Sequence, residues 1–411
     1  MSKNFLIDAL RISNPKSSMF DADTQIISYK TGFPVLDYFL GYIVNVHDET
    51  DSVVEQYPSI GISSGCYCCF IGKPSTGKTT ACIQIAANIV REHSNGFVIH
   101  FDLEKAMNYS RLQILTRFSM KEMSQDGKYI LKQEKASIQD IKATVMQIYQ
   151  EKTDHPDLYK YNTGKKDEFG HDIWVYEPTV IIIDSIPMLS SAVDEKSKKE
   201  AVKLEDIASQ TDRMRLTGEI GRFYTEMTQY IKEANIIVFS INHIKARPQL
   251  GYMPSPSELL YLSQDEALPG GKAPQFLANY LFKFVAVGSE KFNKEDDGFD
   301  GFGLRISIIK SRTNQAGQTV ALVYDKVRGV DSLRSSVEYA RSLGKVGGNK
   351  NGYYFSNNKD IKFAKKTMHE DFKEHPELYA SLYDSILPEL NTHLSAVLPE
   401  EIEVPDDEMK Y

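Results

Sequence analysis

The sequence predicts a layered α/β protein built on a mostly parallel central sheet. Four runs, CYCCFIG from Cys66, GFVIHFD from Gly96, TVIIID from Thr179 and NIIVFSIN from Asn235, are almost continuously apolar. Strands buried on both faces read this way, whereas half-exposed strands alternate. Helical lengths such as Ala81–Glu92 and Ile138–Gln150 stand between them. Strand and helix in alternation give the α/β layer order. A chain of 411 residues, 41% hydrophobic and 25% charged, has material for a sizeable core and for more than one domain.

Taken in order, the elements begin with a short amphipathic piece, Phe5, Leu6, Ala9 and Leu10, too small to fold alone. Strand–helix alternation starts near Tyr29. The segment DHPDLYKYNTGKKDEFGHDIWVYEP, ahead of the third apolar run, reads as an inserted surface hairpin. Later runs NYLFKFVAVGS and FGLRISIIKSR, parted by the charged turn EKFNKEDDGFDG, predict an antiparallel hairpin that VALVYDKV continues. After Gly329 the pattern turns helical (SLRSSVEYARSLGKV) and then passes through GGNKNG into YYFS. The expected division is an N-terminal segment 1–28, a core 29–335, a small C-terminal domain 336–398 and an acidic tail 399–411.

Formal net charge is −8; the tail PEEIEVPDDEMKY carries six acids and one base, −5 in all, so the body sums to about −3. Net charge therefore argues against broad coating of nucleic acid but permits local basic loops. Cys66, Cys68, Cys69 and Cys82 match no zinc spacing and are expected to be reduced packing residues. No apolar run approaches membrane-spanning length, and the first residues lack a cleavable leader pattern, so a soluble cytoplasmic protein is expected.

The chemistry concentrates at strand ends. Gly72-Lys-Pro74-Ser75-Thr76-Gly77-Lys78-Thr79-Thr80 meets the P-loop pattern after one apolar run and before a helix. Glycines let backbone N–H groups approach phosphates, Lys78 reaches the β and γ phosphates, and the Thr79 hydroxyl ligates Mg²⁺. Asp184, ending TVIIID, suits the second carboxylate of a Mg²⁺–ATP site. FDLEKA places Asp102 and Glu104 at the end of the next strand, where a carboxylate can polarise an attacking water; Glu104 is the preferred candidate. Asn242 and His243 end NIIVFSIN at γ-phosphate height and lead into a long irregular stretch with Lys245, Arg247, Tyr252, Tyr261, Gly270, Gly271 and Lys272. A second irregular stretch after Asp184 carries Lys196, Lys198, Lys199, Arg213, Arg215 and Arg222 as candidate DNA phosphate contacts. IIKSR ends with Lys310 and Arg312, expected on one strand face and aimed at the γ-phosphate of a neighbouring subunit's ATP.

This constellation resembles the RecA family of recombinases, most closely its bacteriophage UvsX-type branch. The resemblance runs through YKTGFPVLDYFLG, GKPSTGKTT, FDLEKA, VIIIDSI, FSINHI, LPGGKAPQFLANYLF, IIKSR and VRGVDSLRSSVEYARSLGKVGGNKNGYYF, roughly residues 29–390. It implies a RecA-like P-loop ATPase core with a short N-terminal interface segment and a small C-terminal α/β domain. It also implies ATP- and Mg²⁺-dependent filaments on single-stranded DNA, homologous pairing with double-stranded DNA, strand exchange, and partners such as a single-strand-binding protein and a mediator. Glu104 matches the family's catalytic glutamate, Lys310 and Arg312 its cations supplied across subunits, and Tyr109 its adenine-stacking aromatic. His243 stands where bacterial RecA has glutamine, and residues 44–60 and 155–176 look like insertions. Two other readings stay open: a hexameric replicative helicase of the DnaB type, and a non-catalytic ATP-binding scaffold.

Overall fold

A computed structural model describes residues 26–48, 50, 52–190, 210–246, 261–263, 266–269 and 276–394. The chain is a mixed α/β protein around a nine-stranded sheet. Its strands are β1 (Tyr67–Gly72), β2 (Phe97–Asp102), β3 (Tyr129–Lys132), β4 (Thr179–Asp184), β5 (Ile236–His243), β6 (Tyr280–Phe292), β7 (Gly301–Lys310), β8 (Thr319–Asp325) and β9 (Gly329–Asp331). Their order across the sheet is β9-β8-β7-β6-β1-β5-β4-β2-β3. All neighbours from β6 to β3 pair in parallel. The expected hairpin β6–β7, continued by β8 and β9, forms the antiparallel flank.

The apolar runs are buried on both faces, and side-chain alternation divides the core. Cys68, Phe70, Val180, Ile182, Ile237 and Phe239 point into one cluster, which contains helix α1 (Lys78–Val90). Tyr67, Ile99, Phe101, Ile181, Ile183 and Val238 point into the other, under helices α2 (Ile138–Asp154) and α3 (Gln210–Glu233). Period-two alternation of two apolar sets is what a sheet covered by helices on both sides requires. Fully buried Lys152 donates to the carbonyls of Glu177 and Ala234, tying α2 to the chain entering β4 and β5. Burial pushes this lysine down to about 7. All four cysteines are free and buried, as expected.

Helix α4 (Ser332–Ser342) packs on β8 and carries the chain into a three-stranded sheet spanning Val346–Phe363 and two closing helices, Met368–Glu374 and Glu377–Thr392. Phe355, Phe363, Phe372, Leu382 and Ile386 join the same apolar cluster as α1. The segment predicted as an inserted hairpin forms a hairpin, Lys160–Lys166 paired with Asp172–Tyr176. Residues 44–60 form most of a second, Tyr42–His47 with Val53–Ser59. The two insertions touch: the His47 amide donates to the Glu168 carbonyl, and the Tyr57 hydroxyl to that of Lys166. Among the described residues no helix is long and apolar enough to cross a membrane. The N-terminal segment with Phe5–Leu10 and the acidic tail lie outside the described residues.

The lead-in to the core turns on a buried carboxylate. Asp37 Oδ1 accepts from both the amide and the hydroxyl of Thr31, each at 2.6 Å. Burial drives Asp37 up to about 7, against the opposing pull of the Thr31 bonds. An acid raised in the folded state contributes stability that is complete below its unfolded pKa and disappears as pH rises through the folded value. Asp37→Asn is therefore expected to match the parent in urea midpoint near about pH 4 and to gain on it progressively toward neutrality. A constant difference across that range would refute the buried-acid account.

Candidate functional site

Parallel register brings the candidate residues to one edge. His243 is paired with Gly72 across β5 and β1, and Asp184 with Asp102 across β4 and β2. Because β5 lies between β1 and β4, His243 stands between the phosphate-type loop and Asp184. Gly72 leaves β1 where a Cβ would sit 2.6 Å from the Phe284 carbonyl oxygen. Gly77 adopts φ +82°, and a Cβ there would sit 2.9 Å from the ring of Tyr324. Ser75 also has positive φ; Pro74 and Ser75 are exposed, while Thr76 is buried and donates to the Lys73 carbonyl.

Lys78 opens α1 and folds its ammonium back into the loop. It donates to the carbonyls of Gly72 at 3.0 Å and Lys73 at 2.7 Å. Burial pushes Lys78 down to about 8, partly offset by Asp184 and then Glu104. A cation so placed, at a helix N-terminus, favours an anion that completes its charge. Thr80 reaches the Tyr324 hydroxyl at 3.2 Å, which fixes the first turn of α1 against β8.

The carboxylates are arranged in series. The Thr79 hydroxyl donates to Asp184 Oδ2 at 2.9 Å, and Asp184 Oδ1 is buried with no hydrogen-bond partner among the described residues. A hydroxyl and a carboxylate with a spare oxygen are hard-oxygen donors that fit Mg²⁺. Glu104 Oε1 accepts from the Ser185 hydroxyl at 2.7 Å and lies 2.9 Å from His243 Nε2. Glu104 keeps more than a third of its side chain exposed, so it can meet both water and a ligand. Asp102 is committed differently: its two oxygens accept from the amides of Ala106 and Met107 and from Gln133. Of the two acids in FDLEKA, the structure leaves Glu104 the more exposed and gives Asp102 to the turn.

The strand that carries His243 also links the loop to the stretch beyond it. The Ile244 amide donates to the Gly72 carbonyl, and Asn242 Nδ2 to the Pro269 carbonyl. Lys245–Ala246 pairs with Glu266–Ala267. Glu266 Oε2 lies 3.3 Å from Lys283 Nζ, and its Oε1 lies 3.7 Å from Lys73 in the phosphate-type loop. Burial works against its charge, but the Ser263 amide and Lys283 hold Glu266 below its ordinary value. Lys73 is largely exposed, so this pair matters for orientation more than for stability.

The DNA-contact candidates divide. Arg215 and Arg222 lie on exposed positions of α3, and Lys245 is exposed beside the site. Arg215 is paired with Glu219 at 3.9 Å. The backbone of Arg213 falls within α3; its side chain, together with Lys196, Lys198, Lys199, Arg247, Tyr252, Gly270, Gly271 and Lys272, lies outside the described residues. Tyr109 is exposed at the head of helix Tyr109–Thr116.

Lys310 and Arg312 require a correction. Strand β7 ends at Lys310, so the alternation that would put both on one face does not extend to Arg312. Lys310 donates to the Phe276 carbonyl; Arg312 lines a cavity of about 640 Å³ with Ser64, Gly65, Lys232 and Asn279. Register places them away from the subunit's own loop: Lys310 pairs with Leu281, which pairs with Cys69, and Gly65 precedes β1 altogether. Burial and then Arg312 lower the Lys310 pKa, so the two cations do feel each other.

Residue patterns did not single out Ser185, Tyr324, His100 or Glu266. Their roles come from non-local packing; only the position of Ser185 directly after Asp184 gave a local signal. Compared with known proteins, the chain matches no family model and no curated protein. Gly77→Ala is expected to lose nucleotide affinity at least tenfold in equilibrium titration. A left-handed non-glycine residue costs roughly 1–2 kcal/mol and the added methyl meets Tyr324. Unchanged affinity would show that the loop tolerates another shape.

Proposed function

We propose that this chain is a RecA-type, DNA-dependent ATPase that assembles as a helical filament on single-stranded DNA and catalyses homologous pairing and strand exchange. The observation that carries this reading is the convergence of Lys78, Thr79, Glu104, Asp184 and His243 at one edge of the parallel sheet, with His243 2.9 Å from Glu104. That contact joins the residue expected to activate water to the strand that leads toward Lys245.

In the proposed mechanism Lys78 and the loop amides bind the triphosphate. Thr79 and Asp184 would hold Mg²⁺, which when bound would supply charge neutralisation at the phosphates. Glu104 orients water and accepts its proton, while Ser185 and His243 hold its carboxylate in place. Two connections carry the occupied state outward: His243 to Lys245, and Lys73 through Glu266 to Lys283. Lys310 and Arg312, far from their own loop, act on the site of the adjacent subunit, so hydrolysis depends on assembly.

Most DNA affinity comes from phosphate contacts and falls steeply with salt, and sequence preference is slight. Electron microscopy of the protein with single-stranded DNA and a non-hydrolysable nucleotide tests the reading. Helical filaments are expected; closed rings would favour the helicase alternative, and isolated monomers would sink both. The cross-subunit step has its own check. Arg312→Ala and Glu104→Gln are each expected to lose DNA-stimulated hydrolysis, and a mixture of the two variants to regain part of it. No recovery on mixing would refute action between subunits.

The second connection is tested by Glu266→Gln. It is expected to leave nucleotide affinity within about threefold of the parent while weakening the nucleotide-induced gain in DNA affinity, since Glu266 meets the loop only through the largely exposed Lys73. An unchanged gain would remove Glu266 from the coupling path.

A further inference from the structure

The unexplained group in the core is His100. It sits on β2 with no exposed surface, and its Nε2 has no hydrogen-bond partner among the described residues. Its other nitrogen, Nδ1, lies 2.9 Å from the hydroxyl of Tyr129 on β3, which is itself buried. Burial raises Tyr129 well above the ordinary phenol value, so the phenol keeps its proton. A neutral imidazole has one donor and one acceptor nitrogen. With Nε2 turned toward the Asp184 carboxylate, the favourable neutral tautomer carries its proton there, which leaves Nδ1 to accept from the hydroxyl. That N–H faces Asp184, with Nε2 3.9 Å from Oδ2.

A chain of polar groups thus crosses three adjacent strands, Tyr129 on β3, His100 on β2 and Asp184 on β4, and ends at Thr79 on α1. Direct metal ligation by His100 with Asp102 and Asp184 is the obvious competitor, since the three lie close together. Asp102 does not suit it: both of its oxygens already serve the Ala106 and Met107 amides and Gln133. At 3.9 Å the imidazole N–H is too far for a hydrogen bond but close enough for its dipole to act on the carboxylate in a buried setting.

We infer that His100, its ring held by Tyr129, is a positioning residue that orients Asp184 toward Thr79 and thereby sets the divalent-cation affinity of the nucleotide site. The inference rests on the Mg²⁺–nucleotide reading given above. It adds to that reading a support for the cation-binding carboxylate that contacts neither phosphate nor solvent. Groups behind a metal ligand typically change metal affinity 10–100-fold when removed.

The test uses the full chain with Mn²⁺ as the probe. Free Mn²⁺ is followed by electron paramagnetic resonance in the presence of saturating non-hydrolysable ATP analogue, and analogue binding is measured separately in EDTA. His100→Leu is expected to weaken Mn²⁺ binding at least about tenfold. His100→Gln, which keeps an N–H near the Nε2 position, is expected to recover most of the loss. Tyr129→Phe, which frees the ring, should weaken binding severalfold. Analogue affinity in EDTA stays near the parent value in all three. Pulsed spectra of the parent should show no nitrogen bound directly to Mn²⁺.

Unchanged Mn²⁺ affinity in His100→Leu, or a His100→Gln variant no better than His100→Leu, overturns the inference. A directly coordinated histidine nitrogen overturns it in favour of ligation. If His100→Leu fails to fold, Tyr129→Phe decides, and unchanged affinity there is equally fatal. A parent chain with no Mn²⁺-dependent analogue binding removes the nucleotide reading itself, a different result from a parent that binds and variants that match it.

Discussion

The site depends on the parallel register of four strands. Gly72, His243, Asp184 and Asp102 end β1, β5, β4 and β2 along one edge because the backbone ladders align them there. In a sheet with helices on both faces the register is fixed by packing: a slip of one residue would exchange the two apolar sets and turn every side chain over. The same ladders that bury Val180 and Ile182 on one side, and Ile181 and Ile183 on the other, aim Asp184 at Thr79. Core packing and site geometry share one constraint.

Around that edge, charge is gathered rather than dispersed. Lys78 is buried enough to lie near about 8, and it is sustained by Asp184 and Glu104. Asp184 in turn has one oxygen with no hydrogen-bond partner among the described residues, and Glu104 is held through a single oxygen by Ser185 and His243. A phosphate chain with a divalent cation would complete both halves, which is why the nucleotide reading suits the physics of the pocket and not only its motif. Arg312 lines a cavity beside Gly65, remote from its own loop. In the proposed filament the edge that carries Lys78 would meet the edge that carries Arg312 on the next copy.

The parts around the site are tied to one another by a few specific bonds. Ile244 and Asn242 tie β5 to Gly72 and Pro269, and Glu266 stands between Lys73 and Lys283. On the other flank, Tyr324 packs on Gly77 and bonds Thr80, so the antiparallel strands shape the loop from below. The two insertions, by contrast, brace one another through Tyr57 and His47.

The sequence by itself determined whatever is encoded in a short window. Continuous apolar runs marked the buried strands, glycine spacing marked the loop from Gly72 to Thr79, and an acid after TVIII marked Asp184. Turn residues marked the β6–β7 hairpin and the insertion near residue 160. Each of these signals arises from local backbone preference or from the period of burial. Only the tertiary structure decided which distant groups meet. His243 reaches Glu104 across 139 residues, Tyr129 orients His100 from a neighbouring strand, and Asp102 is absorbed by a turn while Glu104 stays available. Arg312 leaves the strand face on which spacing had placed it, because β7 ends two residues earlier. Strand order and strand ends are settled by global packing, and no local pattern in the chain carries them.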